Sequence, residues 1–339
     1  LKRPEKTAWE NHVHERQVYD IDYSDIQGQE GVKRATLVAV AGNHNLLYIG
    51  PPGAGKTMMA KRVPTILPVL TKEESMEITK IYSVAGGLRH DSPMAVQRPY
   101  REVHHTVTRQ ALAGGGRIPS PGECTLAHNG VLFLDELAEF PRHVLEALRQ
   151  PLEERKVRLT RQRGAYEFPA DFMLVAASNP CPCGYYPDLN KCTCTDYQVQ
   201  SYLGRVSQPF LDRIDICSEV PRVGYEALAG ASKGQCSANM RAQVEAARER
   251  QRYRFAEESI RTNTQMNQEQ IEKYCMLTPA GKRMMSQAFE IMGLTARTYY
   301  KTLKVARTAA DLDDTDTIKE EHLAEALSYR TIEKTFGKG

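Results

Sequence analysis

The stretch His44-Asn45-Leu46-Leu47-Tyr48-Ile49-Gly50-Pro51-Pro52-Gly53-Ala54-Gly55-Lys56-Thr57 decides the fold. Leu46–Ile49 is a short apolar run, as expected of a strand covered on both faces. Gly50 to Thr57 follows the pattern G-x-x-x-x-G-K-[ST], and a helix over Thr57–Val63 is expected to follow it. Gly53 and Gly55 let the backbone turn with its amides pointing inward. Those N–H groups and the helix N-terminus then cradle phosphate oxygens. Gly50, Pro51, Pro52, Gly53, Ala54, Gly55, Lys56 and Thr57 are therefore the candidate ATP contacts. Lys56 would reach the β- and γ-phosphates, and the Thr57 hydroxyl would hold Mg²⁺. A chance glycine-rich turn would not need this strand and helix on either side.

Two further apolar runs read as partner strands, Val131–Leu134 and Phe172–Ala177. In a parallel sheet, ligands gather at the carboxyl ends of the strands. Asp135 and Glu136 stand at one such end. Asp135 is the candidate for the Mg²⁺ shell, and Glu136 the candidate that orients or deprotonates an attacking water. Ser178-Asn179 closes the third strand, where an Asn side chain could hydrogen-bond that water or the γ-phosphate. Asn179-Pro180 alone would equally serve as a turn.

Working outward, the chain divides by character. Residues 1–22 are polar without an apolar period and read as a tail or truncated linker. Residues 23–223 alternate apolar runs with helix-like stretches, which argues for an α/β sheet. From Gly224 strand signals vanish. Helix-compatible stretches follow at Asn239–Phe255, Asn267–Met276, Pro279–Met292, Ala296–Leu312 and Ile318–Arg330, with Thr295 and Thr315 or Thr317 as candidate caps. Residues 224–339 thus read as an all-helical lid domain.

Composition sets the outer bounds. Of 339 residues, 41% are apolar and 26% charged, which excludes a wholly disordered chain. No apolar run approaches the length of a membrane span, and Leu1-Lys2-Arg3-Pro4 has no signal-peptide character. The first residue is not Met, so a fragment of a longer protein is expected. A net charge of +3 is too mild to imply nucleic acid by itself, so any basic surface must be local. The eight cysteines are too sparse in so long a chain for a disulfide scaffold and fit a reducing cytosol.

Four of the cysteines lie close together. Cys181-Pro182-Cys183 and Cys192-Thr193-Cys194 form CxC-x8-CxC, two thiolate pairs able to close a tetrahedral structural Zn²⁺ site. A free-thiol loop or an adventitious disulfide are the plainer readings.

Taken together, these residues resemble an AAA+ ATPase of the magnesium-chelatase-like branch, most closely the ComM/YifB family. The resemblance runs from about Asp22 to Arg330. It is carried by IQGQEGVKRA (26–35), RPYREVHHT (98–106), GGGRIPSPGECTLAHNGVLFLDELAEFPR (114–142), ASNPCPCGYYPD (177–188), QPFLDRIDI (208–216) and LTARTYYKTLKVARTAADLD (294–313), together with the phosphate loop. It implies a parallel-sheet AAA+ P-loop NTPase core followed by an all-helical lid. It also implies a ring, usually a hexamer, with ATP held between neighbours. Members of full length carry a Lon-protease-like domain ahead of this module, which is expected to fall outside this sequence.

The resemblance assigns roles that spacing leaves open. Arg213, in Leu211-Asp212-Arg213-Ile214-Asp215, matches the arginine finger, although it could equally pair with Asp212 or Asp215. An always-charged planar guanidinium suits the charge that spreads over a transferring phosphoryl group. Arg205 is a weaker candidate. Arg297 matches the second-sensor arginine, which could reach the γ-phosphate from the lid; a solvated helix arginine is the plainer reading.

Three basic clusters are candidate partner surfaces. The first, Arg98 to Arg117, also holds Arg101, Arg109, His104 and His105, and the resemblance sets a helix-2 insert hairpin there. The second, Arg155 to Arg163, alternates like a strand before a turn at Gly164 and matches a hairpin ahead of the first sensor. The third, Arg241–Arg254, reads as a solvated helix face. Arg117, Lys156, Arg158, Arg161 and Arg163 are the candidate DNA contacts. Phosphate contacts give sequence-independent affinity, as a sliding motor needs. The resemblance implies a helicase that promotes branch migration during natural transformation. The alternatives are a chelatase-like motor acting on a protein partner and an ATP-switched scaffold that seldom turns over; the Asp135-Glu136 pair argues against the last.

Overall fold

The computed structural model describes residues 19–87, 94–116, 119–161, 164–224 and 234–331. Its strands in chain order are β1 (Leu46–Ile49), β2 (Tyr100–Val103), β3 (Val131–Leu134), β4 (Lys156–Arg161), β5 (Gly164–Pro169), β6 (Met173–Ser178) and β7 (Ile216–Glu219). Five of them form one parallel sheet in the order β2-β3-β6-β1-β7, and β4 and β5 pair as a separate antiparallel hairpin. The register sets Leu46 beside Val175 and Ile216, and Val131 beside Met173 and Tyr100.

Side chains alternate across this sheet. Leu46, Tyr48, Val131, Phe133 and Val175 enter one apolar cluster, while Leu47, Ile49, Leu132, Leu134 and Leu174 enter another on the opposite face. Both faces are covered, which is why β1, β3 and β6 are apolar without a polar period. The third expected strand is shifted by one residue, to Met173–Ser178. The Met173 amide donates to the Gly130 carbonyl at 3.0 Å as the chain enters the sheet.

The helices that position the site are α1 (Glu30–Gly42), α2 (Lys56–Ile66), α3 (Lys72–Val84), α4 (Arg149–Glu154) and α5 (Asp196–Leu203). After the sheet come α6 (Ser237–Arg254), α7 (Gln268–Tyr274), α8 (Pro279–Met292), α9 (Ala296–Leu312) and α10 (Glu320–Thr331). Local chemistry sets their ends. The Thr278 hydroxyl caps α8, with Pro279 in its first turn, and Thr295 and Thr298 form a reciprocal capping box at α9. Helix α6 starts earlier than its apolar period suggested, because the Asp22 carboxylate accepts the Ser237 amide at 3.1 Å. The Thr315 hydroxyl bonds the Ala310 carbonyl and does not cap α10.

The helical region shares its core with the sheet. Met240, Val244, Leu303, Ala306 and Ala309 belong to the same buried cluster as Leu46, Tyr48 and Phe133. Helix α6 is therefore not the solvated basic face that its composition suggested. Arg241 bonds the Thr65 carbonyl, Arg248 the Val40 carbonyl at 2.8 Å, and Arg254 the buried Asp311 at 2.8 Å. These arginines tie the helical region to α1 and α2 and across to α9.

The first basic cluster also needs correction. Tyr100–Val103 is the edge strand β2 of the main sheet, so the first half of the segment is not an insert hairpin. Arg98 is held by the Pro68 and Asn129 carbonyls, each at 2.7 Å, and by Glu74 at 2.8 Å. Arg101 forms a fork with Glu123 at 2.6 and 2.8 Å. A short antiparallel bridge, Gly115 to Ser120, does follow. Arg117 lies outside the described residues.

Candidate nucleotide site and four-cysteine loop

The phosphate loop leaves the carboxyl end of β1, which lies between β6 and β7 in the sheet. Gly53 and Gly55 take φ of +73° and +93°, the left-handed region that glycine occupies at little cost. Helix α2 begins at Lys56. The Lys56 ammonium donates to the Gly50 carbonyl at 2.7 Å, the Pro51 carbonyl at 2.9 Å and Asn179 Oδ1 at 3.0 Å. Burial pushes its pKa down to about 8, against the pull of the Asp135 and Glu136 carboxylates. Three borrowed acceptors around one ammonium are what an arriving phosphate would replace.

Asp135 and Glu136 follow β3, and Asn179 follows β6, so all three face the phosphate loop from neighbouring strand ends. The Thr57 hydroxyl donates to Asp135 Oδ2 at 2.8 Å. Two adjacent oxygen ligands suit Mg²⁺, which takes one or two protein oxygens and completes its shell with water and phosphate. Glu136 has φ +53°, a left-handed conformation that costs a non-glycine residue on the order of 1 kcal/mol. Its amide donates to Asp135 Oδ1 at 2.9 Å, which holds this turn. The Glu136 carboxylate is more than half exposed and lies 3.5 Å from His105 Nδ1. His105 follows β2 and packs at a tilt against His104, with ring centroids 3.9 Å apart.

Arg213 and Arg297 do not join this cluster. Arg213 precedes β7, at the amino end of the sheet, where Asn45, Asp171 and Asp215 precede β1, β6 and β7. A four-residue strand rises about 13 Å, so Arg213 is a strand length or more from its own phosphate loop. Its guanidinium donates to Glu153 Oε1 at 2.5 Å, and Arg297 donates to the same oxygen at 2.7 Å. Its ion-pair partner is thus Glu153 rather than Asp212 or Asp215. Burial opposes the Glu153 charge, but hydrogen bonds from Arg297 and Arg213 hold its carboxyl below the ordinary value. Arg155, Lys301 and Lys304 line the same cavity. Arg205 pairs with Glu139 at 2.8 Å, on the edge that carries Glu136.

The four cysteines converge. Their sulfurs lie within 4.8 Å of one another, with Cys181–Cys183 at 3.4 Å, Cys183–Cys192 at 3.6 Å and Cys181–Cys192 at 3.8 Å. A tetrahedron with zinc–sulfur bonds of about 2.3 Å has edges of about 3.8 Å, so the donor set fits a zinc ion. All four are free thiols, so no disulfide competes for them. The amides of Gly184 and Tyr186 donate to Cys181 Sγ at 3.2 and 3.4 Å. Such bonds stabilise a ligating thiolate.

On the hairpin, Lys156 and Arg158 occupy the exposed face of β4, while Val157 is buried. Lys156 Nζ lies 2.5 Å from Glu167 and Arg158 Nε 3.2 Å from it. Arg163 and the Arg161 side chain lie outside the described residues. A groove between the hairpin and residues 109–114 is lined by Arg109, Gln110, Gly114, Arg158 and Thr160, so the first two basic clusters adjoin.

Several residues of this site were not legible beforehand. Glu153 and Arg222 have no motif, and Gln29 stood in the quoted stretch 26–35 without a role. Arg222 and Gln29 meet the phosphate loop through the Pro52 and Ala54 carbonyls, at 3.3 and 2.9 Å. His105 stood in a noticed pair, but its distance to Glu136 depends on how β2 pairs with β3.

A phosphate loop on an interior strand of a five-stranded parallel sheet, acidic and amide side chains at the neighbouring strand ends, and a helical region after the last strand define an AAA+ module. Residues 22–228 match the family described as magnesium chelatase, subunit ChlI, and residues 234–330 match its C-terminal region. The chain belongs to this magnesium-chelatase family. It is 45% identical over 314 residues to the protein YifB of Salmonella typhimurium, covering 92% of this chain and 61% of that one. It is 43% identical over 319 residues to the competence protein ComM of Haemophilus influenzae, covering 94% and 62%. It is 28% identical over 183 residues to the magnesium-chelatase 67 kDa subunit of Heliobacterium mobile, covering 46% and 27%. The chain thus spans about three-fifths of the length of the YifB and ComM relatives. No helix among the described residues is long and apolar enough to cross a membrane.

Proposed function

We propose that the chain is the motor module of an ATP-hydrolysing ring, most readily a hexamer, that translocates on single-stranded or branched DNA. The observation that carries this reading is the split site. Lys56, Thr57, Asp135, Glu136 and Asn179 lie at the carboxyl edge of the sheet, while Arg213 and Arg297 meet on Glu153 at the amino edge. One chain cannot close its arginines on its own phosphates. A neighbour offering its amino edge completes the site.

The division of labour follows from position. The loop amides and Lys56 bind the phosphates. Thr57 and Asp135 would hold Mg²⁺, which neutralises phosphate charge when bound. Glu136 orients the attacking water and takes its proton, and Asn179 reports the γ-phosphate to β6. Arg213 and Arg297 of the adjoining subunit stabilise charge on the transferring group, which couples cleavage to the relative position of two subunits. Cys181, Cys183, Cys192 and Cys194 hold a structural zinc, and the unbridged thiols support work in a reducing cytosol.

DNA as the partner is supported by the basic β4–β5 hairpin beside Arg109 and by the similarity to a protein named for competence. Turnover of ATP with and without single-stranded and branched DNA tests it. Glu136→Gln is expected to bind ATP without hydrolysing it, and Lys56→Ala to lose binding. Arg161→Ala with Arg163→Ala is expected to abolish DNA stimulation while basal hydrolysis persists; intact DNA binding in that variant removes the hairpin from the interface. A second reading, a motor acting on a protein partner, is favoured by one observation: Lys156 and Arg158 are already paired, with Glu167 and Glu154. ATPase that ignores DNA at every salt concentration selects it.

A further inference from the structure

The four-cysteine loop touches the phosphate loop directly. Gly184 has φ +83°, and a Cβ built on it would lie 2.3 Å from Pro52 Cδ and 2.7 Å from Pro52 Cγ. Glycine alone satisfies both the backbone angle and the close approach. The Gly184 amide also donates to Cys181 Sγ, so the residue in contact with Pro52 is bonded to a ligand sulfur. Arg222 makes a second bridge. Its guanidinium donates to the Tyr185 hydroxyl at 3.1 Å and to the Pro52 carbonyl at 3.3 Å, and stacks on the Tyr185 ring at 4.9 Å. At the other end, Asn179, two residues before Cys181, accepts from Lys56. Residues 179–185 therefore meet the phosphate loop at both Lys56 and Pro52.

Besides the cysteines, this segment is held mainly by the Pro52 and Arg222 contacts and by Tyr186 against the core. Residues 181–195 contain neither helix nor strand, Leu189 is 79% exposed, and Cys183, Cys192 and Cys194 are only half-buried. Such a loop has few buried contacts to oppose its conformational entropy.

We propose that the four-cysteine site is a positioning element for nucleotide binding. When Cys181, Cys183, Cys192 and Cys194 ligate a metal, they fix residues 179–185. Through the Gly184–Pro52 contact and the Arg222 bridge, that fixes the phosphate loop in its binding-competent form. The inference rests on the readings above of an ATP site and a zinc site. Its energetic content is a population: without the backing, a smaller fraction of chains presents a competent loop, and apparent affinity falls by that fraction.

The test uses the zinc-loaded chain, its zinc content measured by elemental analysis, and a fluorescent ADP analogue as the binding probe. Gly184→Ala keeps all four cysteines. It is expected to retain one zinc per chain, to weaken ADP binding roughly tenfold, and to raise KM for ATP while leaving kcat at saturation nearly unchanged. Removing the metal with a chelator is expected to weaken binding similarly, with recovery when zinc is restored. In protein loaded with Co²⁺, nucleotide should shift the visible cobalt–thiolate bands of the parent chain, and shift them less in Gly184→Ala. Unchanged ADP affinity in both Gly184→Ala and the metal-free chain, or cobalt bands indifferent to nucleotide, would overturn the coupling and leave both sites standing. A chain that takes up no zinc but binds ADP overturns the metal reading and this inference with it. A zinc-loaded chain that binds no ADP overturns the nucleotide reading instead.

Discussion

Arg213 and Arg297, one ahead of the last strand and the other at the start of helix α9, donate to the same Glu153 oxygen. This shared carboxylate joins the sheet and the helical region at one point on the amino edge. If both arginines serve a neighbour's nucleotide, Arg213→Ala should keep ATP binding and lose turnover by on the order of 10³-fold. Lys56→Ala should lose binding. Mixed in equal amounts, the two inactive variants should regain activity, because some interfaces pair an intact phosphate loop with an intact arginine. A mixture no more active than its components sinks the split site.

Glu153 itself gives a finer expectation. Glu153→Gln keeps the shape and removes the charge on which two guanidiniums converge. Arg213 is only 7% exposed, whereas Glu153 is 44% exposed, so solvent screens the pair from one side. A stability loss of about 1 kcal/mol is expected, short of that for a fully buried pair. Turnover should fall about tenfold as the arginines lose their alignment, with ADP affinity unchanged. Calorimetry and steady-state kinetics read the two effects separately.

The acid limb of stability should carry the mark of His44. Burial pushes its pKa down to about 4, opposed by Asp215 and reinforced by Lys304, Lys301 and Arg248. The folded protein therefore resists protonating a ring that the unfolded chain protonates at about 6.5. Stability from this group is complete above about pH 6.5 and is lost as pH falls towards 4, to the extent of about 2–3 kcal/mol. Denaturant titrations across that window should show the slope, and His44→Asn should flatten it while losing the 2.8 Å bond to Thr308.

How far the sequence led is clear from particular residues. Strands β1 and β3 were legible because strands buried on both faces are continuous apolar runs. Strand β2 was not, because Tyr100-Arg101-Glu102-Val103 lies at the sheet edge and is half polar. Helices α8 and α9 matched residue for residue, since Thr278-Pro279 and Thr295 are strong local start signals. That residues 50–57, Asp135 and Asn179 would meet at neighbouring strand ends was legible because strand ends converge in any sheet of this kind. The long-range contacts were not. Arg213 and Arg297 stand 60 and 144 residues from Glu153, and no spacing rule joins them. Gly184 against Pro52 is hidden for the same reason. The basic helix α6 misled because a charge run has one composition whether it faces solvent or caps backbone carbonyls.

Lys56 is expected to make nucleotide binding depend on pH in the opposite sense from the His44 contribution to stability. With its pKa pushed down to about 8, the ammonium loses its proton in the free protein as pH rises through that value. Phosphate needs the charged form, so ADP affinity should hold below about pH 7.5 and decline about tenfold for each unit well above 8. Bound nucleotide should raise the Lys56 pKa, so binding near pH 8 should be accompanied by proton uptake. Calorimetry in buffers of different ionisation enthalpy measures that uptake. Affinity that is flat from pH 7 to 10 refutes the assignment.

The hairpin offers a gain of function, which a merely destabilised variant cannot imitate. Lys156 and Arg158 both point to Glu167, and their hydrogen bonds hold its carboxyl below the ordinary value. Glu167→Gln frees the exposed Lys156 and leaves Arg158 with Glu154 alone, without touching the buried Val157. If the hairpin grips DNA, that variant should bind single strands more tightly at low salt. The slope of log affinity against log salt should steepen by about 0.7 for each cation that gains a phosphate. Basal ATPase without DNA should not change, since Glu167 lies away from the phosphate loop. Weaker binding, or an unaltered slope, would show that these cations serve only to brace β4 against β5, and DNA contacts would then have to be sought elsewhere on the ring.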